Sequence, residues 1–218
     1  AGGFSLVDGV ARTFSTNLVI VALIFFAIIG LASEVINIPF TWYDTFVIEK
    51  KYGFNTMTTR TFITDMLKSW FITVLIGIPV MALLTWFYYE AGSKFWFYAW
   101  ALITVFSVFI NFFYSELIVP LFNKQTPLAE GSLREKIGTF AARTGFKLKN
   151  IYVIDGSRRS TKSNAYFSGF GKKKRIVLYD TLIKEFSEEE IVAVLAHEIG
   201  HYKKKHVLIN LLFSVMLT

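Results

Sequence analysis

Residues 196–201 read AHEIGH, and this short stretch decides how the rest of the chain is interpreted. On a helix, residues four apart lie on one face, so His197 and His201 can present two imidazole nitrogens to one metal ion. Glu198 lies beside them, where its carboxylate can take a proton from a water that the metal activates. The chain has 3 histidines in 218 residues, and two of them stand in this pattern. The stretch predicts a zinc-dependent hydrolase, provided that it is helical.

The preceding residues predict that helix. Ser187 and Glu190 have the spacing of a capping box, in which each side chain binds the backbone N–H of the other residue. Acidic residues at 188–190 suit the positive end of the helix dipole. A second capping box is predicted at Ser132 and Glu135, in front of a helix that ends at Gly145. The apolar stripe of that helix comprises Leu133, Ile137, Phe140 and Ala141.

The composition indicates a membrane protein, because 54% of the residues are hydrophobic and they are concentrated in blocks. Three uncharged runs, residues 13–33, 69–89 and 95–115, are each long enough to cross a hydrocarbon core about 30 Å thick. The alternative is three buried helices of a large soluble protein. The absence of cysteine excludes disulfides and thiolate metal sites, so any metal must take nitrogen and oxygen ligands.

These features divide the chain into three parts. Residues 1–120 form the predicted transmembrane region, residues 121–206 a metallopeptidase insert that ends in the HExxH helix, and residues 207–218 the start of a truncated transmembrane helix. The last stretch is uncharged but too short to cross a bilayer. We therefore expect the chain to be a fragment that lacks a C-terminal part.

Basic residues predict the orientation. Of the 23 Lys and Arg residues, 17 lie in 124–205 with 9 of the 16 acidic residues, so this stretch carries +8 and the remainder −1. The positive-inside rule places the insert in the cytoplasm. The surplus could mark a nucleic-acid patch, but beside membrane spans it favours anionic lipid headgroups, so no nucleic-acid partner is expected. Residues 172–175 (KKKR) are interpreted as a solvated turn between strands.

Two polar residues, Asn111 inside the third span and Glu116 directly after its last residue, would be costly if they faced lipid. Glu116 could reach the interface from the cytoplasmic end of the span, or both residues could line a water-filled cavity. The aromatic-rich residues 37–55 have no clear period and are predicted to be a semi-ordered interfacial segment.

The insert is predicted to be a small α+β unit. Its strands lie at residues 150–154, 164–170 and 175–179, and the last two form a hairpin in front of the metal helix. Substrates of metallopeptidases bind extended along an edge strand, and the hairpin offers a candidate. That candidate substrate strand comprises Asn164, Ala165, Tyr166 and Phe167. The alternative is an ordinary hairpin strand.

The zinc site needs a third protein ligand as well as an open position for water. His206 is five residues past His201, about 140° further round the helix, so it cannot join the same metal. A Glu or Asp beyond Thr218 is the expected third ligand. Without a metal, His197 and His201 would be a buried histidine pair on a structural helix, which is costly.

The chain resembles the type I CAAX prenyl protease family of membrane zinc metallopeptidases. Four stretches carry the resemblance: NIPFTWYDTFVIEKKYGFN at 37–55, FNKQTPL at 122–128, SNAYFSGFGKKKRIVLYDTL at 163–182 and LAHEIGHYKKKH at 195–206. The resemblance implies an α-helical integral membrane protein, a multi-helix α-barrel around a water-filled chamber, with a small α+β zincin-type insert.

The same resemblance implies roles for the site. His197 and His201 would hold one zinc ion, Glu198 would be the general base, and Asn164 and Ala165 would lie on the substrate strand. A downstream glutamate would complete the zinc site, so these 218 residues alone are expected to be inactive. The substrate would be a peptide or protein at the lipid bilayer, which can be prenylated and loses its last three residues. The membrane would be a bacterial inner membrane, or that of the endoplasmic reticulum in a eukaryote.

Two alternatives remain open at this point. A heat-shock-type membrane quality-control protease shares the HExxH stretch and the strand at 164–166, but the resemblance at 37–55 favours the CAAX type. A non-catalytic membrane scaffold is the alternative of another class. Glu198 argues against it, because a structural zinc site does not need that carboxylate.

Overall fold

The structure is a computed structural model that describes residues 2–146, 148, 150–168, 175–204, 209–210 and 213. For Ser168, His201 and Tyr202 it describes the backbone and not the side chain. Residue contacts divide the chain into two units, residues 1–52 with 60–105 and residues 53–59 with 106–218. The first unit is helical, and the second contains both helices and a sheet.

The helices of the first unit follow one another with short connections. They are α1 (Gly3–Phe14), α2 (Leu18–Tyr43), a π-helix (Asp44–Glu49), α3 (Thr59–Glu90) and the start of α4 (Phe95–Phe113). Asn17 begins α2, because its side chain accepts from the backbone N–H of Val19 at 2.9 Å. Residues 13 and 14, predicted as the start of the first span, are the end of α1.

Three helical segments of the described chain are long and apolar enough to cross a membrane: Leu18–Glu49, Thr59–Glu90 and Gly92–Phe122. Their most apolar windows are only 6%, 0% and 11% buried within the protein. Side chains that are apolar and uncovered at this density suit contact with lipid. The helices therefore agree with the predicted membrane class.

The prediction of a semi-ordered segment at 37–55 is wrong, because the helix continues through Lys51. The polar side chains bond to the helix itself: Asn37 donates to the Ser33 carbonyl at 2.8 Å, and the Thr41 hydroxyl to the Asn37 carbonyl at 3.1 Å. Aromatic rings also pack against the π-helix, where the ring centre of Phe46 lies 5.6 Å from that of Phe62.

The second unit is built on a four-stranded sheet with the order β1-β2-β4-β3. The strands are β1 (Gln125–Pro127), β2 (Asn150–Ile154), β3 (Ala165–Ser168) and β4 (Arg175–Tyr179). The antiparallel pairing of β3 with β4 confirms the predicted hairpin. The parallel pairing of β2 with β4 and the existence of β1 were not predicted.

Each face of this sheet is covered by different elements. On one face, Ile151, Ile176 and Leu178 pack with residues of α6 (Ser132–Arg143), α7 (Asp180–Glu185) and α8 (Glu188–Lys203). On the other face, Ile154 and Val177 pack with α5 (Val119–Phe122), which follows a second π-helix (Tyr114–Ile118). The sheet is thus a buried layer between helices, as expected of a small α+β core.

The ends of α6 give one confirmed and one wrong prediction. Gly145 has φ 67°, and the N–H of Phe146 donates to the carbonyl of Ala141 at 2.8 Å, which is the expected glycine-type helix end. The capping box at Ser132 is wrong: Gly131 is the N-cap, and the Ser132 hydroxyl donates to Glu188 on α8. A tertiary partner has replaced the local one.

Several predictions fall on the remaining residues. Lys172, Lys173 and Lys174 lie outside the described residues, as do His206 and most of 207–218, where Ile209, Asn210 and Phe213 are helical. The predicted strand at 175–179 is confirmed as β4, but the expectation that Arg175 is solvated is wrong, because its side chain is only 16% exposed.

Candidate active site

Helix α8 carries the HExxH stretch, and its start is held by the predicted capping box. The backbone N–H of Ser187 donates to the Glu190 carboxylate at 2.8 Å, and the N–H of Glu190 donates to the Ser187 hydroxyl at 3.4 Å. Both bonds of the motif are present, so this prediction is confirmed. The condition that the HExxH stretch be helical is therefore met.

One side of α8 is fixed by packing. Ile191, Leu195 and Ile199 recur every four residues and are 1%, 0% and 3% exposed. His197 lies two residues from both Leu195 and Ile199, on the opposite side of the helix, and is exposed. Glu198 lies between these two sides and is half-buried. The core thus holds the helix so that His197 is turned away from it.

The exposure of His197 argues against the alternative of a buried histidine pair. His201 follows one helical turn after His197 on α8, and its side chain lies outside the described part. Two imidazoles at this spacing fit two of the three protein ligands of a catalytic zinc ion. Within the described residues, no three His, Asp or Glu side chains are grouped so that they could hold a metal.

The predicted substrate strand is β3, which lies at the edge of the sheet. Ala165 is buried beside Leu195, and Phe167 packs near Ile199 of the metal helix. Tyr166 points to the opposite face. Asn164 lies just before the strand and accepts from the N–H of Tyr179 at 3.0 Å. Within the described chain, β3 pairs only with β4, so no strand occupies its second edge there.

Glu116 and Arg175, which the sequence did not place together, meet on the far face of the sheet. Glu116 of the second π-helix forms an ion pair with Arg175 of β4, and the Arg175 guanidinium lies 5.5 Å from the Tyr152 ring centre. Glu116 is thus ion-paired within the protein and 31% exposed, and its two expected surroundings, the interface and a water-filled cavity, stay predictions. Asn111 is exposed. The available signal for this pairing was the acid Glu116, which stands in an apolar run.

Ion pairs and burial shift several pKa values around the site. Lys136 of α6 lies 2.7 Å from Glu188 and 2.6 Å from Glu189, and these contacts lower the pKa of both carboxyls and raise that of Lys136. Burial raises the pKa of the Tyr166 and Tyr179 phenols. Both tyrosines are therefore neutral hydrogen-bonding groups at pH 7.

The sequence matches two adjoining family descriptions. Residues 1–124 match "CAAX prenyl protease N-terminal, five membrane helices", and residues 127–218 match "Peptidase family M48". Among curated proteins, the chain is 49% identical over 175 residues to "CAAX prenyl protease 1 homolog" of Arabidopsis thaliana, a match that covers 80% of this chain and 41% of that protein. It is 41% identical over 198 residues to "CAAX prenyl protease 1" of Saccharomyces cerevisiae, covering 90% of this chain and 44% of that protein.

A solved structure has the same fold. The crystal structure of S. mikatae Ste24p superposes with a TM-score of 0.92 at 39% identity, covering 98% of this chain and 51% of that chain. Together with the three candidate spans, this similarity confirms the predicted class, an α-helical membrane protein with a small zincin-type insert. The chain spans about half the length of the relatives that it matches.

Proposed function

The chain belongs to the CAAX prenyl protease family of M48 peptidases, and on this premise we propose that the protein is a membrane-embedded zinc metalloendopeptidase acting on CAAX-type C-terminal peptides. The observation that carries the proposal is the pairing of a capped HExxH helix with an open-edged strand packed against it. A scaffold would need neither Glu198 nor an open strand next to the helix.

We assign His197 and His201 as zinc ligands. Zinc, when bound, supplies Lewis-acid activation of water and of the peptide carbonyl. Two imidazoles one turn apart on a rigid helix suit this role, and the Ile191–Leu195–Ile199 stripe keeps α8 in position. We expect a third ligand, a glutamate, from the part of the relatives' length that this chain does not span, and we expect residues 1–218 alone to be inactive.

We assign Glu198 as the general base. Its carboxylate takes one proton from the attacking water, whose oxygen forms a bond to the scissile carbonyl carbon. When the C–N bond breaks, the same proton passes from Glu198 to the leaving amine. Half-burial of Glu198 beside an exposed His197 is compatible with both roles.

We assign β3, with Asn164 before it, as the strand that binds the substrate. Ala165 and Phe167 anchor the strand on α8, so an extended peptide added to the open edge would run past the metal helix. The substrate would be a protein or peptide at the bilayer, prenylated at its C-terminus. The basic surplus of residues 124–205 supports a cytoplasmic insert, facing the leaflet that carries anionic lipids.

The test uses the full-length protein, zinc-loaded, in detergent or vesicles. A farnesylated CAAX peptide should lose its last three residues, and Glu198→Gln should reduce the rate at least about 100-fold, the usual minimum for loss of acid–base catalysis. Glu189→Gln, an exposed acid on the same helix, is the matched control and should retain activity. Full activity of Glu198→Gln, or of a metal-free preparation, would overturn the proposal. Cleavage of misfolded membrane proteins but not of the farnesylated peptide would favour the quality-control alternative.

A further inference from the structure

The second π-helix, Tyr114–Ile118, lies against three strands of the sheet through two consecutive residues. The side chain of Gln125, in β1, donates to the backbone carbonyl of Ser115 at 3.3 Å. The hydroxyls of Ser115 and Tyr166, in β3, are hydrogen-bonded at 3.4 Å. The carboxylate of Glu116 forms an ion pair with Arg175, in β4. The π-helix therefore contacts the sheet through a hydrogen bond to its backbone, a hydrogen bond between two hydroxyls and an ion pair.

The fourth strand is contacted just beyond the π-helix. Val119, the first residue of α5, packs in one apolar cluster with Ile154 of β2 and Val177 of β4. The segment from Ser115 to Val119 thus contacts all four strands. The apolar contact of Val119 buries surface. The polar contacts of Ser115 and Glu116 fix where the segment lies along the strands, because hydrogen bonds and ion pairs are directional and apolar contacts are not.

These contacts hold the edge strand from the side opposite the metal helix. Side chains alternate along β3, so Ala165 and Phe167 face α8 while Tyr166 faces the π-helix. Burial raises the pKa of the Tyr166 phenol, and its neutral hydroxyl is hydrogen-bonded to that of Ser115. A strand with a hydrogen-bonded neighbour on one side only would otherwise be less constrained than the central strands of the sheet.

The Glu116–Arg175 pair is partly shielded from water. The two side chains are 31% and 16% exposed, and the Tyr152 ring covers one side of the guanidinium. A charge pair in this setting is screened less than a surface pair, and loss of one partner leaves the other poorly solvated. A π-helix has one more residue per turn than an α-helix and is frequent at functional sites. Here the consecutive residues 115 and 116 both contact the sheet.

We propose that Glu116 and Arg175, together with the Ser115–Tyr166 hydrogen bond, are positioning residues for peptide cleavage. They hold the open edge of β3 at a fixed distance from α8, so that a substrate paired with β3 has its scissile carbonyl at the metal ligands and Glu198. This inference rests on the proposed function. Positioning of this kind can have a large effect on catalysis, because a displacement of about 1 Å at a reacting carbonyl can lower the rate 100-fold.

The test compares single and reciprocal variants in the zinc-loaded, full-length protein. Glu116→Gln and Arg175→Gln each break the ion pair, and the double variant Glu116→Arg with Arg175→Glu restores it in reverse. Glu135→Gln, an exposed acid on α6, is the matched control. Tyr166→Phe removes only the hydroxyl that meets Ser115, and it remains informative if the charge variants do not fold.

Amide hydrogen exchange is the first measurement. Each single variant should speed exchange in β3 about tenfold and leave α8 unchanged, Tyr166→Phe should do so by a smaller factor, and the double variant should restore most of the protection. Unchanged exchange in β3, an equal increase in β3 and α8, or a double variant no better than the singles would overturn the inference. These outcomes do not require catalysis.

Peptide cleavage is the second measurement. The single variants should lower kcat/KM for the farnesylated peptide about tenfold while zinc content stays at the wild-type value, and Glu135→Gln should change neither. Loss of zinc together with activity would indicate a structural role and overturn the inference. If the wild-type protein cleaves no CAAX peptide, the proposed function fails while the exchange measurement still decides the role of the ion pair.

Discussion

The backbone N–H of Tyr179 donates to the carbonyl of Asn164 at 3.0 Å, and this bond sets which groups of β3 face the open edge. In an antiparallel ladder, hydrogen-bonded and non-hydrogen-bonded pairs alternate. Ala165 and Phe167 are therefore in non-hydrogen-bonded positions, so their N–H and C=O groups point away from β4. The Ala165 N–H is held by the Asn164 side chain at 2.8 Å.

This register predicts an alternating response to N-methylation of the substrate. A farnesylated peptide paired with β3 would donate every second N–H to the carbonyls of Ala165 and Phe167. Methylating such an amide removes a hydrogen bond and adds a clash, so KM should rise roughly tenfold. Methylating the amides between them should have little effect. The measurement is KM across a series of singly methylated peptides, and a series without a two-residue period would contradict pairing with β3.

Replacement of His197 tests the metal site. His197→Ala removes one imidazole from α8 at an exposed position, so the fold should persist while zinc content falls from about one per chain toward zero. Elemental analysis of the full-length protein gives the result. Glu198→Gln is the control, since it should lose activity and keep its zinc. Retention of stoichiometric zinc by His197→Ala would remove that residue from the ligand set.

The capping box makes a stability prediction. Ser187→Ala removes the hydroxyl that accepts from the Glu190 N–H, and the change should lower the free energy of unfolding by about 1 kcal/mol. Ser187→Thr keeps an equivalent hydroxyl and should restore most of the loss. Amide exchange in the first turn of α8 reports the change directly. Equal protection in the alanine and threonine variants would show that the cap contributes little.

The hydrogen bonds of Asp180 predict that the stability of the fold depends on pH. Burial alone would raise its pKa, but the Ser157 hydroxyl and the Ser157 N–H, at 2.8 Å, donate to the carboxylate and lower the pKa below its ordinary value. Because the pKa of Asp180 is lower in the folded than in the unfolded protein, the ionised carboxylate stabilises the fold at pH values above the unfolded-state pKa, which is near 4. This stabilisation is lost as the pH falls through the folded-state pKa. The unfolding midpoint of EDTA-treated protein between pH 7 and 3 measures it. Asp180→Asn should flatten the decline, and identical profiles would refute the assignment.

Features encoded by neighbouring residues could be predicted from the sequence. The capping box at Ser187 and Glu190 is satisfied within four residues, and the glycine end at Gly145 needs only a left-handed backbone. The hairpin of β3 and β4 follows from two apolar runs close in sequence. In each case the partners are local, so few other arrangements compete.

Features with distant partners could not be predicted in the same way. Ser132 has the local sequence of a cap, yet its hydroxyl bonds to Glu188, 56 residues away. Strand β1 has only three residues and little apolar pattern, and it exists because β2 supplies its hydrogen bonds. Glu116 had two plausible surroundings, and neither included Arg175.

The sequence by itself determined the zincin-type helix, the apolar spans and the residue types that could hold zinc, because these depend on spacing and composition. Only the tertiary structure decided that β3 is an edge strand, that α8 turns His197 away from the core and that the second π-helix holds the opposite face of the sheet. These depend on strand order and on contacts between residues far apart in the chain. Closing the long loops between such residues costs conformational entropy, and this cost is offset only when the sheet and the helices that cover it pack together.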